Sequence, residues 1–352
     1  MNILIVSRHF SPGHIAHMKA WYKLCEACGY NVRLYLDKKY ITFFESETYA
    51  FVDDKTELYD FHPDFSIVQN TGFENFKWCR KNKCKILYIL HEPYMGLKEI
   101  LKEGRYFIKQ AVACILNVWL CNNSEKVILC SEYAKTNCYK YMKKIARKTV
   151  ILPLLFLDAY EQNKPVQREF FSMIGTYTQS HGSDVFMEYI KRAYEKNSKQ
   201  KFQIVTRSNI STITSDPIYQ KMQEEGKLII QQGRPLNEAE MSIAYRRSIA
   251  TWNGYRRSTQ SGVLPNSFMQ GTPVIATRLG SFEEFVEPKQ TGVFIDNFDY
   301  DTITNAVKEI QQAGNMVNNY CRCFFLSHFY YANQIERFKE IISSCTNEDG
   351  RQ

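Results

Sequence analysis

Three groups of residues have types and spacings that suit chemistry. Ser261-Gly262-Val263 closes a polar loop and opens a short apolar stretch that reads as a helix. A helix start presents unpaired N–H groups and about half a positive charge, which suits an anion such as a diphosphate; a plain loop-to-helix junction has the same pattern. Ser11-Pro12-Gly13-His14-Ile15-Ala16-His17 follows the apolar run Ile3–Val6, and Gly13 lets a ligand come close to the main chain. His91-Glu92-Pro93 follows the run Lys85–Leu90. Imidazoles titrate near neutral pH, so His14 and His91, at strand ends, suit proton sharing. Taken alone, each reads equally as a structural histidine.

These residues need a frame that brings strand ends together. The chain has 352 residues, 44% hydrophobic and 23% charged, with 16 Gly and 10 Pro. That fits two domains or one large one, and excludes disordered, collagen-like and low-complexity classes. No uncharged apolar run is long enough to span a bilayer. Met1-Asn2-Ile3-Leu4-Ile5-Val6 lacks the features of a signal peptide and reads as a first strand. Eleven cysteines form no framework, and Cys25/Cys28 falls at a helix end, so buried thiols of a cytosolic protein are expected.

The net charge is +8, and residues 101–150 hold ten Lys/Arg against three Asp/Glu. The same window contains the apolar, Trp-bearing stretch 107–120. This combination suits peripheral association with an anionic membrane, and equally a core helix with a solvated basic neighbour. No helix-turn-helix, zinc-finger or RNA-binding motif accompanies the charge, so no nucleic-acid partner is expected.

Apolar runs alternate with helical stretches. Strands are expected at 3–6, 32–36, 65–69, 85–90, 126–130 and 150–153. The pattern restarts after a polar linker, with strands at 170–174, 202–206, 227–231, 249–252, 273–276 and 292–295. Asn237 with Glu240 has the spacing of a capping box. The fold class is α/β: two doubly wound parallel-sheet, Rossmann-like domains facing a cleft, 1–157 and 168–324, with 158–167 as linker. Ligands of such sheets bind outside the carboxyl ends of the strands.

Residues 248–295 resemble the donor half of family 4 glycosyltransferases with the GT-B fold. The matching features are the loop and helix at 258–270, the strand Gly271-Thr272-Pro273-Val274-Ile275-Ala276, the turn from Gly280 to Glu284, and Thr291-Gly292. Elsewhere the resemblance is architectural, with Gly175 at the family's glycine-started loop. It implies a retaining transferase that moves a sugar from a nucleotide diphosphate sugar (UDP first, GDP open) to a sugar or lipid-linked sugar acceptor in surface polysaccharide or glycan assembly. The nucleotide sugar is a substrate, so no cofactor is implied. No essential divalent metal is expected, on the reading that the chain lacks an Asp-x-Asp pair. A cytoplasmic location, at the inner face of the cell membrane, follows from the same resemblance. So does a final helix, from about residue 325 to 352, crossing back to the first domain.

The departures from the family shape the site reading. Two family glutamates are replaced by Ser258 and Asn266, and the family's diphosphate-binding Arg and Lys by Thr176 and His181. Arg207, Arg256 and Arg257 are the expected replacement cations, since guanidinium groups clamp phosphates. Donor binding is thus expected at Gly175, Thr176, His181, Arg207, Arg256, Arg257, Ser261, Gly262, Val263 and Asn266. Catalysis is expected at His91, Glu284 and His14, and the acceptor side at Gly13, His14, His17 and Glu92. The same departures keep open a GT-B-like scaffold without donor chemistry. An epimerase of the same fold is the other alternative.

Overall fold

The computed structural model describes residues 1–52, 55–91, 107–160, 166–234, 236–257 and 260–346. They form two compact units: Met1–Leu157 with Phe329–Gln352, and Asp158–His328.

The first unit is built on six parallel strands: β1 (Asn2–Ser7), β2 (Asn31–Leu36), β3 (Phe65–Val68), β4 (Lys85–Leu90), β5 (Lys126–Leu129) and β6 (Thr149–Ile151). Their order is β2-β1-β3-β4-β5-β6. Ile3–Val6 is wholly buried, as a strand covered on both faces must be. The helices are α1 (Ile15–Ala27), α2 (Lys55–Phe61), α3 (Phe73–Lys81), α4 (Phe107–Asn123) and α5 (Glu132–Tyr141). On one face, Leu120 and Cys121 of α4 and Ala134 and Cys138 of α5 join Tyr88, Leu90, Val127 and Leu129 in a core. The chain runs from β1 outward to β2, then crosses back to β3, so the crossover reverses between β1 and β3. Such a switch point opens a crevice at the strands' carboxyl ends.

The second unit repeats the plan with β7 (Phe170–Ile174), β8 (Lys201–Val205), β9 (Leu228–Gln231), β10 (Ser248–Asn253), β11 (Val274–Thr277) and β12 (Gly292–Ile295). The order β12-β11-β10-β7-β8-β9 places its switch point between β7 and β10. Its helices are α6 (Ser183–Glu195), α7 (Ser211–Thr214), α8 (Pro217–Glu224), α9 (Glu238–Arg246), α10 (Val263–Met269), α11 (Phe282–Phe285), α12 (Tyr300–Ala313) and α13 (Asn315–His328). The capping box is present at α9: Asn237 accepts from the Glu240 amide at 2.8 Å, and Glu240 accepts from the Asn237 amide at 2.9 Å.

The aromatic stretch 323–342, which reads as one helix, is two. Helix α13 stops at His328, and Phe156 bridges to the chain beyond it. The Phe156 amide donates to Phe329 O at 2.9 Å, and the Tyr331 amide donates to Phe156 O at 3.2 Å. Helix α14 (Ile335–Thr346) then lies in the first unit, with Phe338 edge-on to Trp21 at 5.4 Å. The unit boundary therefore falls after residue 328, four residues later than the resemblance implies. All cysteines are free thiols, and burial pushes that of Cys25 up. Among the described residues, no helix is long and apolar enough to cross a membrane.

Candidate functional site

In the second unit, the loops after β7, β8 and β10 converge at the switch point. The first begins at Gly175, whose φ of +128° lies outside what L side chains adopt comfortably. A Cβ there meets Val263 Cγ2 at 3.3 Å, so this turn abuts the start of α10. The loop then folds on itself. Thr178 Oγ1 accepts from the His181 amide, and His181 Nδ1 lies 3.1 Å from Thr176 O. Ser208 Oγ accepts from the Tyr177 amide at 3.2 Å, joining the β8 loop to it.

The loop after β10 locks onto the same turn. His181 stacks on Tyr255, with ring centroids 4.3 Å apart and planes 19° apart. Burial holds the His181 imidazole below the usual histidine range, against the pull of the Thr176 carbonyl. Trp252 Nε1 donates to the carbonyls of His181 and Gly182. The amides of Arg256 and Arg257 donate to Ser180 O at 2.8 and 3.2 Å. Tyr255 and Ser261 share a hydroxyl contact of 3.1 Å, and Ser261 Oγ accepts from the Val263 amide. One of the three amides expected to be open to an anion is thus already capped within the loop.

The arginines divide by environment. Arg256 forms a two-pronged pair with Asp184, at 2.6 and 2.8 Å, and also donates to Gln179 O. Its terminal nitrogens are held by the protein here, so it braces the loop. Arg257 is exposed beside Ser258, which lies outside the described residues. Arg207, just past β8, is exposed and makes no hydrogen bond or ion pair with the described residues. Asn266 Nδ2 donates back to Gly262 O at 2.7 Å, which leaves its amide oxygen as an acceptor. A Cβ on Gly262 meets nothing within 4 Å.

Glu284 is exposed on the short α11, after the Gly280 turn. Phe282 ties this turn to the site by an edge contact with Tyr255 at 5.2 Å. The assumption that the chain lacks an Asp-x-Asp pair is wrong: Asp299-Tyr300-Asp301 has that spacing. Asp299 caps α12, accepting from the amide and hydroxyl of Thr302 at 2.7 and 2.9 Å.

In the first unit, three histidines gather at the carboxyl edge. His14 stacks on His91, with centroids 4.5 Å apart, and His17 lies 5.9 Å from His91. His17 is buried, its Nδ1 3.0 Å from Leu155 O and its ring edge-on to Phe156. It is therefore packed into the unit and positions the cluster. His14 Nδ1 is buried with no hydrogen-bond partner. Burial first, then the neighbouring His17 and His9, lowers its pKa to about 4. At neutral pH His14 is an uncharged ring, poorly matched to the proton sharing expected of it. A Cβ on Gly13 meets nothing within 4 Å, so no packing in the protein itself demands glycine there. Glu92 lies outside the described residues.

Asp184, Tyr255 and Trp252 organise the second-unit loops without having been expected there. Only the position of Asp184, at the start of a helix facing no nearby cation in sequence, hints at a partner.

No family model and no curated protein matches the sequence. Solved structures do. Sucrose-phosphate synthase from Thermosynechococcus elongatus is similar with a TM-score of 0.73 over 99% of both chains, at 12% identity. Anabaena HepE, solved in complex with UDP-glucose, gives 0.71 over 98% of this chain and 100% of that one, at 13% identity. WaaG, a glycosyltransferase involved in lipopolysaccharide biosynthesis, gives 0.66 over 97% and 99%, at 11% identity. With two six-stranded parallel sheets and these likenesses over nearly the whole chain, the chain has the GT-B glycosyltransferase fold.

Proposed function

We propose that the chain is a retaining glycosyltransferase that moves a sugar from a nucleotide diphosphate sugar to an acceptor hydroxyl in surface polysaccharide or glycan assembly. The observation that carries this is the convergence of three loops at the β7/β10 switch point, beside an arginine, Arg207, that no described residue pairs. UDP is placed before GDP because proteins of similar fold are solved with UDP or UDP-glucose bound.

In this reading, Arg207 and the main chain around Ser261-Gly262 receive the diphosphate, with Arg257 beside them. The amide oxygen of Asn266 accepts from a ribose hydroxyl, and Thr176 and His181 border the diphosphate from the Gly175 turn. As the bond between the anomeric carbon and the phosphate oxygen breaks, charge grows on the leaving group. Fixed N–H donors and a guanidinium stabilise that charge more than they stabilise the ground state. The acceptor oxygen forms its bond on the same face, and its proton passes to the leaving phosphate. At the first unit's edge His14 keeps the His91 ring in place by stacking, and in the second unit Glu284 borders the sugar. The acceptor is a sugar or lipid-linked sugar, met at the cytoplasmic side of a membrane.

Calorimetric titration with UDP, GDP and the matching nucleosides tests the reading, with and without a chelator. Saturable binding of one diphosphate, unaffected by the chelator, is expected. No binding of either nucleotide overturns the proposal and favours a scaffold. Conversion of a nucleotide sugar to its epimer, without transfer or release, overturns it in favour of an epimerase.

A further inference from the structure

The outer face of the first unit carries an apolar strip that the packing of its core does not use. On α4, Ile108, Val112 and Ile115 are 74%, 48% and 68% exposed. They recur at spacings of four and three, on one side of the helix. Trp119 continues the line about 16 Å along the axis from Ile108. Its ring is edge-on to Phe76 of α3, 4.8 Å away, and Phe76 stacks on Phe73, which is 57% exposed. An ordinary core helix would turn these side chains inward. Here the core takes Leu120 and Cys121 from the same helix, and the half-buried Val118 and Trp119 pack against it, whereas Ile108, Val112 and Ile115 face outward.

Cations flank the strip. Helix α3 presents Lys77, Arg80 and Lys81 beside Phe73 and Phe76, with Lys77 4.6 Å from the Phe73 ring centre. Beyond α5, the turn at 143–148 presents Lys143, Lys144 and Arg147, all exposed. Lys148 of that turn donates to Asn122 O and Ser124 O at 3.0 Å, fixing it to the end of α4. The steps β3-α3-β4, β4-α4-β5 and β5-α5-β6 run one way across the sheet. Right-handed crossovers therefore place α3, α4 and α5 on one face, with α4 in the middle. Glu74 and Glu132 neutralise Lys77 and Lys135. Lys81, Lys143, Lys144 and Arg147 form no ion pair with the described residues.

We infer that the α3–α4 face docks flat on an anionic lipid bilayer, with Ile108, Val112, Ile115 and Phe73 in the acyl boundary and Trp119 at headgroup level. Apolar side chains gain from entering the boundary, a tryptophan suits the interface, and flanking cations gain from anionic headgroups. A second copy of the chain fits less well, because pairing through this face would oppose two sets of cations. The inference sharpens the membrane element of the proposed function but rests on the first unit alone. A failed vesicle experiment therefore leaves nucleotide titration to stand or fall by itself.

The test is co-sedimentation with phosphatidylcholine vesicles, with and without about 30% phosphatidylglycerol. Binding is expected only with the anionic lipid, and should fade near 1 M salt, where charges are screened beyond about 3 Å. Ile108→Ser with Ile115→Ser should weaken partitioning by about tenfold or more. Met316→Ser with Tyr320→Ser, which removes exposed apolar groups from the second unit, should leave it unchanged. Circular dichroism checks folding. If the isoleucine pair disturbs it, Lys143→Glu with Lys144→Glu takes its place, and should weaken binding at low salt. Absent binding, equal binding to neutral vesicles, or binding unmoved by these variants overturns the inference. So does a dimer that the isoleucine variant dissociates.

Discussion

The carboxyl edges of the two sheets are built by different means. In the second unit, main-chain groups set the geometry: the Gly175 and Gly182 turns, carbonyls bound by Trp252, and a loop braced by Arg256 and Asp184. In the first unit, packed rings set it, with His14 on His91 and His17 anchored to Leu155. Main-chain donors suit a ligand of fixed charge and shape. Buried neutral rings suit a ligand defined by hydroxyls, and make the edge sensitive to acid. The contrast predicts that substitutions in the second unit separate into those that break the scaffold and those that only unload the ligand, while the first unit responds to pH.

The largest effect is expected at Gly182, where φ is +63° and a Cβ would lie 2.1 Å from Gly254 O. Gly182→Ala should cost about 3 kcal/mol or more in a urea melt. Gly262→Ala has open space and should cost no more than about 1 kcal/mol while weakening nucleotide binding. Equal melts for the two would erase the distinction between scaffold and ligand glycines.

Next comes Arg207→Ala. An exposed, unpaired guanidinium contributes little to folding, so the melt should shift by less than about 0.5 kcal/mol. The Kd for nucleotide diphosphate should rise about tenfold to a hundredfold, and that for the nucleoside should hold. Parallel losses in calorimetry would remove Arg207 from the phosphate.

The first unit should respond to acid. His14 has its folded-state pKa lowered from 6.5 to about 4, so the unfolded chain binds its proton more readily. The stability this confers is complete above about pH 6.5 and lost as pH falls toward 4. The ring is only partly buried, which reduces the loss to about 1–2 kcal/mol. Urea melts of His14→Gln should show a shallower decline from pH 7 to pH 5 than wild type. An identical slope would mean that the His14 ring is hydrated.

The smallest effect belongs to the Arg256–Asp184 pair, whose side chains are each 40% exposed. Arg256→Ala and Asp184→Asn should each cost no more than about 1 kcal/mol, and together no more than the larger alone. Both should weaken nucleoside and diphosphate binding alike, since they act through the loop. A selective loss of diphosphate binding would return Arg256 to the phosphate.

Elements defined by local pattern were legible in the sequence. Ile3–Val6 and Ile86–Leu90 are unbroken apolar runs bounded by polar residues, and the Asn237/Glu240 box names its own helix start. Helix α12 also has a readable signature, with Asp299 as cap and Ile303, Ala306, Val307 and Ile310 on one face. Helix α3 was harder, because its aromatic and charged residues give a stripe that faces outward. The break between α13 and α14 depends on Phe156, far away in sequence. The site divides in the same way. Gly175 and the loop into α10 are local, whereas the Arg256–Asp184 pair spans 72 positions and the His181–Tyr255 stack spans 74. No spacing rule can find such pairs.

The return of α14 to the first unit bears on how the chain matures during synthesis. Trp21 and Tyr30 wait for Phe338 until the whole of 158–328 has been made. At ribosomal speeds those roughly 170 residues take about 10–35 s. Throughout that interval Trp21 and Tyr30 lack the cover that Phe338 gives them, an opening for chaperones or aggregation that ends only when α14 arrives.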